Sequence, residues 1–452
     1  MSTRTVVGAE SAEGRVNAST VLVGILVAGF LVRMLLIGSE GYRGDVSSFM
    51  SWALTAAQHP LSEFYARAGF ADYPPGYLFV LWIAGHLYLL LPHANGDYGL
   101  LHFLVKLPAC LFDIVNGCLI WAIVRRFTTQ AWANAAAAIY VLNPATIYIS
   151  AYWGQVDAVP AAFMLAAVAL LLRSTQATRR LFVVGAWVCV AYAILIKPPA
   201  LMVALIMLAW AFVPRDAEER TKRMLDTALG IVAGLALAFI VALVFHPSFT
   251  SAIPWLLERY AYGSAVYPYN SINAFNLHSL FRPFWQPDTG QIVVGGLNLG
   301  AMWLWGIILV GAAAALIVAR YLQRGYDVAF VEAAMLVSLA FFVLATRMHE
   351  RYIFNAFALM VPLVAIDRRY RIPMAAISLT LLANLWYSLY YARAMEAKLP
   401  VNATDIFPLL THPMSLINVA VFFVLGYVYL GGKVGAEPKV SARSTTGLRE
   451  RT

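Results

Sequence analysis

Asp45 stands in the segment Tyr42-Arg43-Gly44-Asp45-Val46-Ser47-Ser48-Phe49, just past an apolar run that ends at Ile37. A carboxylate at such a water boundary, with Phe49 and Trp52 beside it, is well placed as a general base. Capping a helix or pairing with Arg43 is the structural alternative. Asp72-Tyr73-Pro74-Pro75 reads as a rigid bend, because each proline fixes its own φ and biases the preceding residue to extended structure; Asp72 is read there as a cap. In Trp153-Gly154-Gln155-Val156-Asp157, Gln155 and Asp157 offer oxygens to sugar hydroxyls and Trp153 offers a face to a pyranose ring. An aromatic interfacial belt and a helix cap are the plainer readings. Lys197, in Ile196-Lys197-Pro198-Pro199, and Arg347-Met348-His349-Glu350-Arg351-Tyr352 bring cations that together suit a phosphate leaving group. Any one of them taken singly reads as a snorkelling anchor. His349-Glu350 lacks the second histidine of a zinc-protease helix. Arg33 lies inside an apolar run, where a charge is costly and marks a functional candidate.

The elements that must carry these residues are membrane helices. The chain has 452 residues, 61% hydrophobic and 12% charged, and its mean hydropathy is +0.72. A soluble domain carries about a quarter charged residues. Runs such as 21–37, 225–245 and 328–346 approach or reach the roughly 20 apolar residues that cross a bilayer as helix. The sequence therefore predicts an all-α polytopic membrane protein. Its three cysteines all lie in apolar stretches, which supports neither a disulfide framework nor a zinc site. The first hydrophobic run has no small-residue cleavage site after it and reads as a retained helix.

The net charge of +9 is spread between apolar segments, so it speaks for topology and against nucleic acid. With the basic connections between residues 124 and 373 inside, they hold 14 Lys and Arg, against 7 in the connections outside. The outer set comprises 153–157, Lys197, 246–297, 347–351 and 392–414. Charge parity then requires the short segment 77–92, which starts after Pro74-Pro75 and contains His86, to lie along the outer interface. The resulting scheme has a cytoplasmic leader (1–20), a membrane domain (21–431) with outer loops 38–99 and 247–297, and a basic cytoplasmic tail (432–452). It has twelve spans and both ends inside; thirteen spans with a broken charge rule is the rival count.

Taken in order, Gly44-Asp45, Asp72-Tyr73-Pro74-Pro75, Trp153 to Asp157, Lys197-Pro198, Tyr269 to Asn276 and Arg347 to Tyr352 resemble the GT-C superfamily of integral-membrane glycosyltransferases. The set is most similar to bacterial membrane proteins that resemble the second mannosyltransferase of GPI-anchor assembly. The Asp-Tyr-Pro-Pro and His-Glu-Arg segments also resemble the dolichol-phosphate-glucose-dependent glucosyltransferases. The resemblance implies a GT-C fold with two interfacial helices in the first outer loop, around Asp45 and residues 61–92. It also implies inverting transfer of a sugar, mannose or another hexose, from a polyprenyl-phosphate donor to a glycan or lipid-linked acceptor. Asp45 would be the base, and Arg347, His349, Arg351, Lys197 and Arg33 would hold the donor phosphate. Tyr73, Trp153, Gln155, Asp157, Asn273, Asn276 and Glu350 would contact substrate. Some relatives carry two adjacent acids in the first loop; here Asp45 stands without an Asp-X-Asp, and no metal or other cofactor is expected. Phosphate leaves well, so no general acid is required. The expected setting is the bacterial cytoplasmic membrane, with the site facing the periplasm.

Two alternatives use similar parts. A lipid-linked-sugar transporter or flippase would place ionisable residues near helix centres, where Lys106 and Asp113 stand seven residues apart on one face. An O-antigen polymerase or ligase would carry arginine-rich outer loops, whereas 247–297 holds only Arg259 and Arg282.

Overall fold

The computed structural model describes residues 10–94, 96–174, 177–214, 216–397 and 407–432. Residues 1–9 of the expected leader, 433–452 of the tail and 398–406 of the 392–414 connection lie outside these residues. Among the described residues, eight helices are long and apolar enough to cross a membrane. A ninth crossing is a bent pair, Gln130–Val141 with Pro144–Trp153, at 44°. The break falls at Asn143-Pro144, where proline cannot continue the helical ladder and the Asn143 side chain accepts from the Ala145 amide at 2.9 Å. Four shorter apolar helices, Pro75–Leu90, Ala158–Arg173, Pro198–Trp210 and Phe354–Ile366, lie beside them, and the twelve spans expected from the sequence would take in the last three.

Those three are short for a shared reason. Each starts directly after a polar motif, at Asp157, Lys197 and Arg351, so the motifs sit recessed in the bundle. A short helix is tolerated there because its neighbours enclose it. Phe354–Ile366 is buried from Phe354 to Ala365, and its neighbour Asp327–Leu344 has 89% of its apolar window inside the protein. A helix that is apolar all round belongs in such a core. By contrast the first helix, Glu10–Leu36, faces outward, with 11% of its window buried.

The first outer loop is more ordered than its polar sequence suggested. Arg43–Gln58 is a helix with Asp45 in its first turn, and it buries Val46, Phe49, Trp52, Ala53 and Ala56. It packs against Leu78–Leu90, where Gly85 allows close approach: a Cβ there would meet the Ala53 carbonyl oxygen at 2.1 Å. The second outer connection also holds structure. Ala252–Val266 is a helix, and Gln291–Val294 pairs antiparallel with Leu297–Ala301. Gly295 and Gly296, with φ of 56° and 83°, supply the left-handed turn that a two-residue hairpin needs.

Buried polar groups tie the bundle together. Arg33 is wholly buried. It donates to Asp113 Oδ2 (2.9 Å), Gly29 O (3.0 Å), Val141 O (2.7 Å) and Thr146 Oγ1 (3.0 Å). Tyr140 donates to the second Asp113 oxygen at 2.9 Å. This corrects the sequence reading of Arg33 as a donor-phosphate ligand. Its charge is balanced inside the bundle, and it lines neither cavity described below. Lys106 Nζ likewise donates to Ser39 O at 2.8 Å and Tyr152 O at 3.3 Å, so it clips together the chain segments that lead to Asp45 and Trp153.

Candidate functional site

Two cavities share a wall at one end of the bundle. The smaller, about 490 Å³, is the more polar of the two and holds Asp45, Trp153, Asn273, His349, Glu350 and Arg351. The larger, about 830 Å³, holds Lys197, Arg259, Arg347, His349 and Arg351 at one end. Much of its other lining is apolar and includes Trp303, Gly306, Ile307, Val310, Gly311 and Ala314. These six recur at helical spacing on one face of Met302–Arg324. Asp72, Tyr73, Tyr267, His349 and Arg351 face both cavities.

Asp45 is held from one side. Trp153 Nε1 donates to its Oδ2 at 2.8 Å and Gln155 Nε2 to the same oxygen at 2.5 Å, while Oδ1 has no protein partner among the described residues. Tyr73 OH donates to Gln155 Oε1 at 3.3 Å, which fixes the amide. The approach of these two segments depends on Gly41, at φ 68°, where a Cβ would lie 2.1 Å from the Trp153 carbonyl oxygen. Gln155 and Asp157, expected to meet sugar hydroxyls, line neither cavity. Gln155 orients Asp45, and Asp157 Oδ1 pairs with Lys197 Nζ at 2.7 Å.

Most of the cations are already matched by acids. Arg347 pairs with the fully buried Asp288 at 2.6 Å and also donates to Ser264 O at 3.0 Å. Arg351 bonds Glu350, and its Nε lies 3.8 Å from Asp157 Oδ2. Burial pushes the Lys197 ammonium below its usual range, and Asp157 opposes that shift. Burial, followed by the Arg351 and Lys197 charges, holds His349 well below its usual range, so its imidazole is neutral. Burial raises the Glu350 carboxyl and Arg351 pulls it back. Burial also works against the Arg351 charge, but Glu350, Asp45, Tyr73 and Asp157 outweigh it and the guanidinium stays protonated.

Asn273 takes φ 60°, its side-chain oxygen accepts from Trp285 Nε1 at 2.9 Å, and it lines the polar cavity. Asn276 differs from the expectation of a substrate contact. It is wholly buried and bonded to the backbone of His278, Ser279, Phe342 and Ala345, where it pins the loop.

Two residues gain importance from the structure. Arg259 lines the large cavity with its guanidinium 5.4 Å from the ring centroids of Tyr65 and Tyr262. Its Nε is buried without a hydrogen bond, and among the described residues it has no acidic partner. In the sequence it was one cation in a long loop; the spacing Ala252, Leu256, Arg259, Gly263 was the helical signal. Asp72 is no cap: the short helix Pro75–Tyr77 receives no side-chain bond at its start, and the Asp72 carboxylate faces both cavities.

This is an all-α integral membrane protein, with its polar site at one end of a helical bundle and an apolar recess leading into it. The sequence model of the dolichyl-phosphate-mannose-protein mannosyltransferase family matches residues 73–247. Among solved structures, the chain is similar to ArnT from Cupriavidus metallidurans bound to undecaprenyl phosphate. The identity is 17%, the TM-score 0.50, and the match covers 93% of this chain and 77% of that one. It is also similar to the archaeal oligosaccharyltransferase AglB from Archaeoglobus fulgidus in complex with an inhibitory peptide and a dolichol-phosphate. There the identity is 10%, the TM-score 0.44, and the match covers 92% of this chain and 56% of that one. No curated protein matches the sequence.

Proposed function

We propose that the protein is an inverting glycosyltransferase that moves a sugar, mannose or another hexose, from a polyprenyl-phosphate carrier to an acceptor hydroxyl. The observation that carries this reading is the shared wall: a polar cavity with one open carboxylate oxygen, Asp45 Oδ1, adjoins an apolar recess with cations at its mouth. In this reading the carrier chain lies along the face of Met302–Arg324, the phosphate sits among Arg259, Lys197, Arg351 and neutral His349, and the sugar reaches into the polar cavity. Asp45 takes the acceptor's hydroxyl proton, the acceptor oxygen attacks the anomeric carbon from the face opposite the phosphate, and the carbon–oxygen bond to phosphate breaks with its electron pair on the carrier. Trp153 and Gln155 keep Asp45 oriented without occupying Oδ1.

The reading includes a bacterial cytoplasmic membrane setting with the site facing the periplasm, supported by the bias of basic residues toward the opposite loops. It includes a glycan or lipid-linked acceptor and metal-independent chemistry. The transporter alternative has less support, because Lys106 and Asp113 are bonded within the bundle and line neither cavity.

The test is transfer of labelled sugar from undecaprenyl-phosphate mannose and undecaprenyl-phosphate glucose in proteoliposomes. Asp45→Asn is expected to lower kcat by about 100- to 10,000-fold while carrier binding persists. Near wild-type turnover by Asp45→Asn removes Asp45 as base. Protein-dependent movement of the intact donor across the bilayer, with no transfer, favours the transporter.

A further inference from the structure

The segment 70–76 is fixed on three sides. Trp52 Nε1 donates to Phe70 O at 2.8 Å, Tyr65 OH to Tyr73 O at 2.8 Å and Tyr192 OH to Gly76 O at 3.0 Å. From the Ala252–Val266 helix, Gly263 closes on the same strand of chain: a Cβ there would lie 2.9 Å from the Asp72 carbonyl oxygen. With its backbone held this firmly, Asp72 meets its own backbone amide but has no hydrogen bond or ion pair to another residue's side chain among the described residues, and it lines the junction of the two cavities.

Charge balance says what a free acid does there. Lys197, Arg259, Arg347 and Arg351 face Asp45, Asp157, Asp288 and Glu350, four cations against four acids before Asp72 is counted. Arg393 and Glu396 at the rim add one of each. A carrier phosphodiester brings one negative charge, and bond cleavage gives the departing phosphate a second. The second is offset by the proton that Asp45 takes, so the site carries one uncompensated negative charge throughout; an ionised Asp72 would add another within a partly buried site, which is unfavourable.

Resting on the transferase reading above, we propose that Asp72 acts as the proton donor to the carrier phosphate as the sugar leaves. The acceptor's proton goes to Asp45, the anomeric carbon–oxygen bond breaks with its electrons on the phosphate, and the Asp72 proton goes to a phosphate oxygen. The carrier departs as a monoanion. Asp45 then loses one proton to solvent and Asp72 regains one, so the net reaction releases none. Burial raises the Asp72 carboxyl above its usual range; its own backbone, Arg351 and Lys197 pull it back, and Asp45 pushes the same way as burial. The other groups around it are the phenols of Tyr65, Tyr73, Tyr267 and Tyr352, the Arg259 guanidinium and the neutral His349. The phenols titrate far above the range in which a carboxyl loses its proton.

Two measurements on the full chain in liposomes test this. The first is kcat against pH with undecaprenyl-phosphate mannose and undecaprenyl-phosphate glucose. Wild type loses activity as rising pH strips Asp72 of its proton. Asp72→Asn is expected to lower kcat on the order of 10- to 100-fold, keep donor KM within a few-fold, and lose the alkaline limb; Asp72→Glu restores that limb. A raised KM with the alkaline limb intact makes Asp72 a sugar contact and overturns the proposal. The second is binding of an uncleavable undecaprenyl mannosyl phosphonate, which carries one fixed negative charge. Wild-type affinity should fall by about tenfold per pH unit once Asp72 ionises, and Asp72→Asn should bind without that slope. Identical slopes overturn the proposal whether or not sugar is transferred. If no donor supports turnover yet the slope depends on Asp72, the transferase reading fails and the Asp72–phosphate contact stands.

Discussion

Replacing Arg33 by methionine separates a structural role from a substrate role. In the wild type the guanidinium makes bonds of 2.7 to 3.0 Å with Asp113, Gly29, Val141 and Thr146, and both charged side chains are wholly buried. Arg33→Met leaves Asp113 Oδ2 as an uncompensated buried charge, with Tyr140 still on the other oxygen. Breaking one side of such a pair costs about 3–5 kcal/mol. Replacing both partners by apolar groups avoids that penalty, so Arg33→Met with Asp113→Leu should recover most of the loss. The cycle should give a coupling of about 2–3 kcal/mol. The assay is unfolding in lipid micelles for the four proteins of the cycle, with binding of undecaprenyl phosphate measured well below the transition. The expected result is lower stability for each single variant and carrier affinity within about threefold of wild type. Unchanged stability with a large loss of carrier affinity would refute the reasoning and return Arg33 to the phosphate site.

Arg259→Gln should raise the donor KM by about 10- to 100-fold, the equivalent of roughly 1.5–3 kcal/mol for a lost charged hydrogen bond, with little change in melting, because it has no acid to strand. Arg347→Gln should instead lower stability by unpairing the buried Asp288; initial rates on folded protein distinguish the two. Activity is expected to survive EDTA treatment unchanged, and restoration of a lost rate by added divalent ions would show that a metal takes part.

The bundle was legible because bilayer crossing imposes long apolar runs. Charge parity singled out 77–92 as unlike the other apolar segments, and a helix of 13 residues stands at Leu78–Leu90. The helix Arg43–Gln58 was expected from the resemblance alone and given no bounds, although Val46, Phe49, Trp52, Ala53 and Ala56 follow its buried face. Asp45, Trp153, His349, Glu350 and Arg351 converge from distant motifs, as a shared outer face predicts. Pairing was not legible. Nothing in the sequence tells that Arg33 meets Asp113 across eighty residues, that Lys197 is matched by Asp157, or that Arg259 has no acid. Such partnerships depend on helix rotation and packing, which one sequence leaves open. For that reason the cation with the richest motif, Arg347, is occupied, and the one counted as incidental, Arg259, has no acidic partner among the described residues.

The three short helices that start at Asp157, Lys197 and Arg351 have an electrostatic consequence. By ending the apolar wall early they form a pit whose floor is polar and whose sides are hydrocarbon. Such a pit focuses field lines on its floor, where mobile ions screen less than they do at an open surface. A charge pair 4 Å apart, worth about 1 kcal/mol in bulk water, is worth about 4 kcal/mol at an effective dielectric of 20. Carrier capture should therefore depend only weakly on ionic strength, and a few recessed charges can do what a broad basic surface does for proteins that bind anions from bulk water.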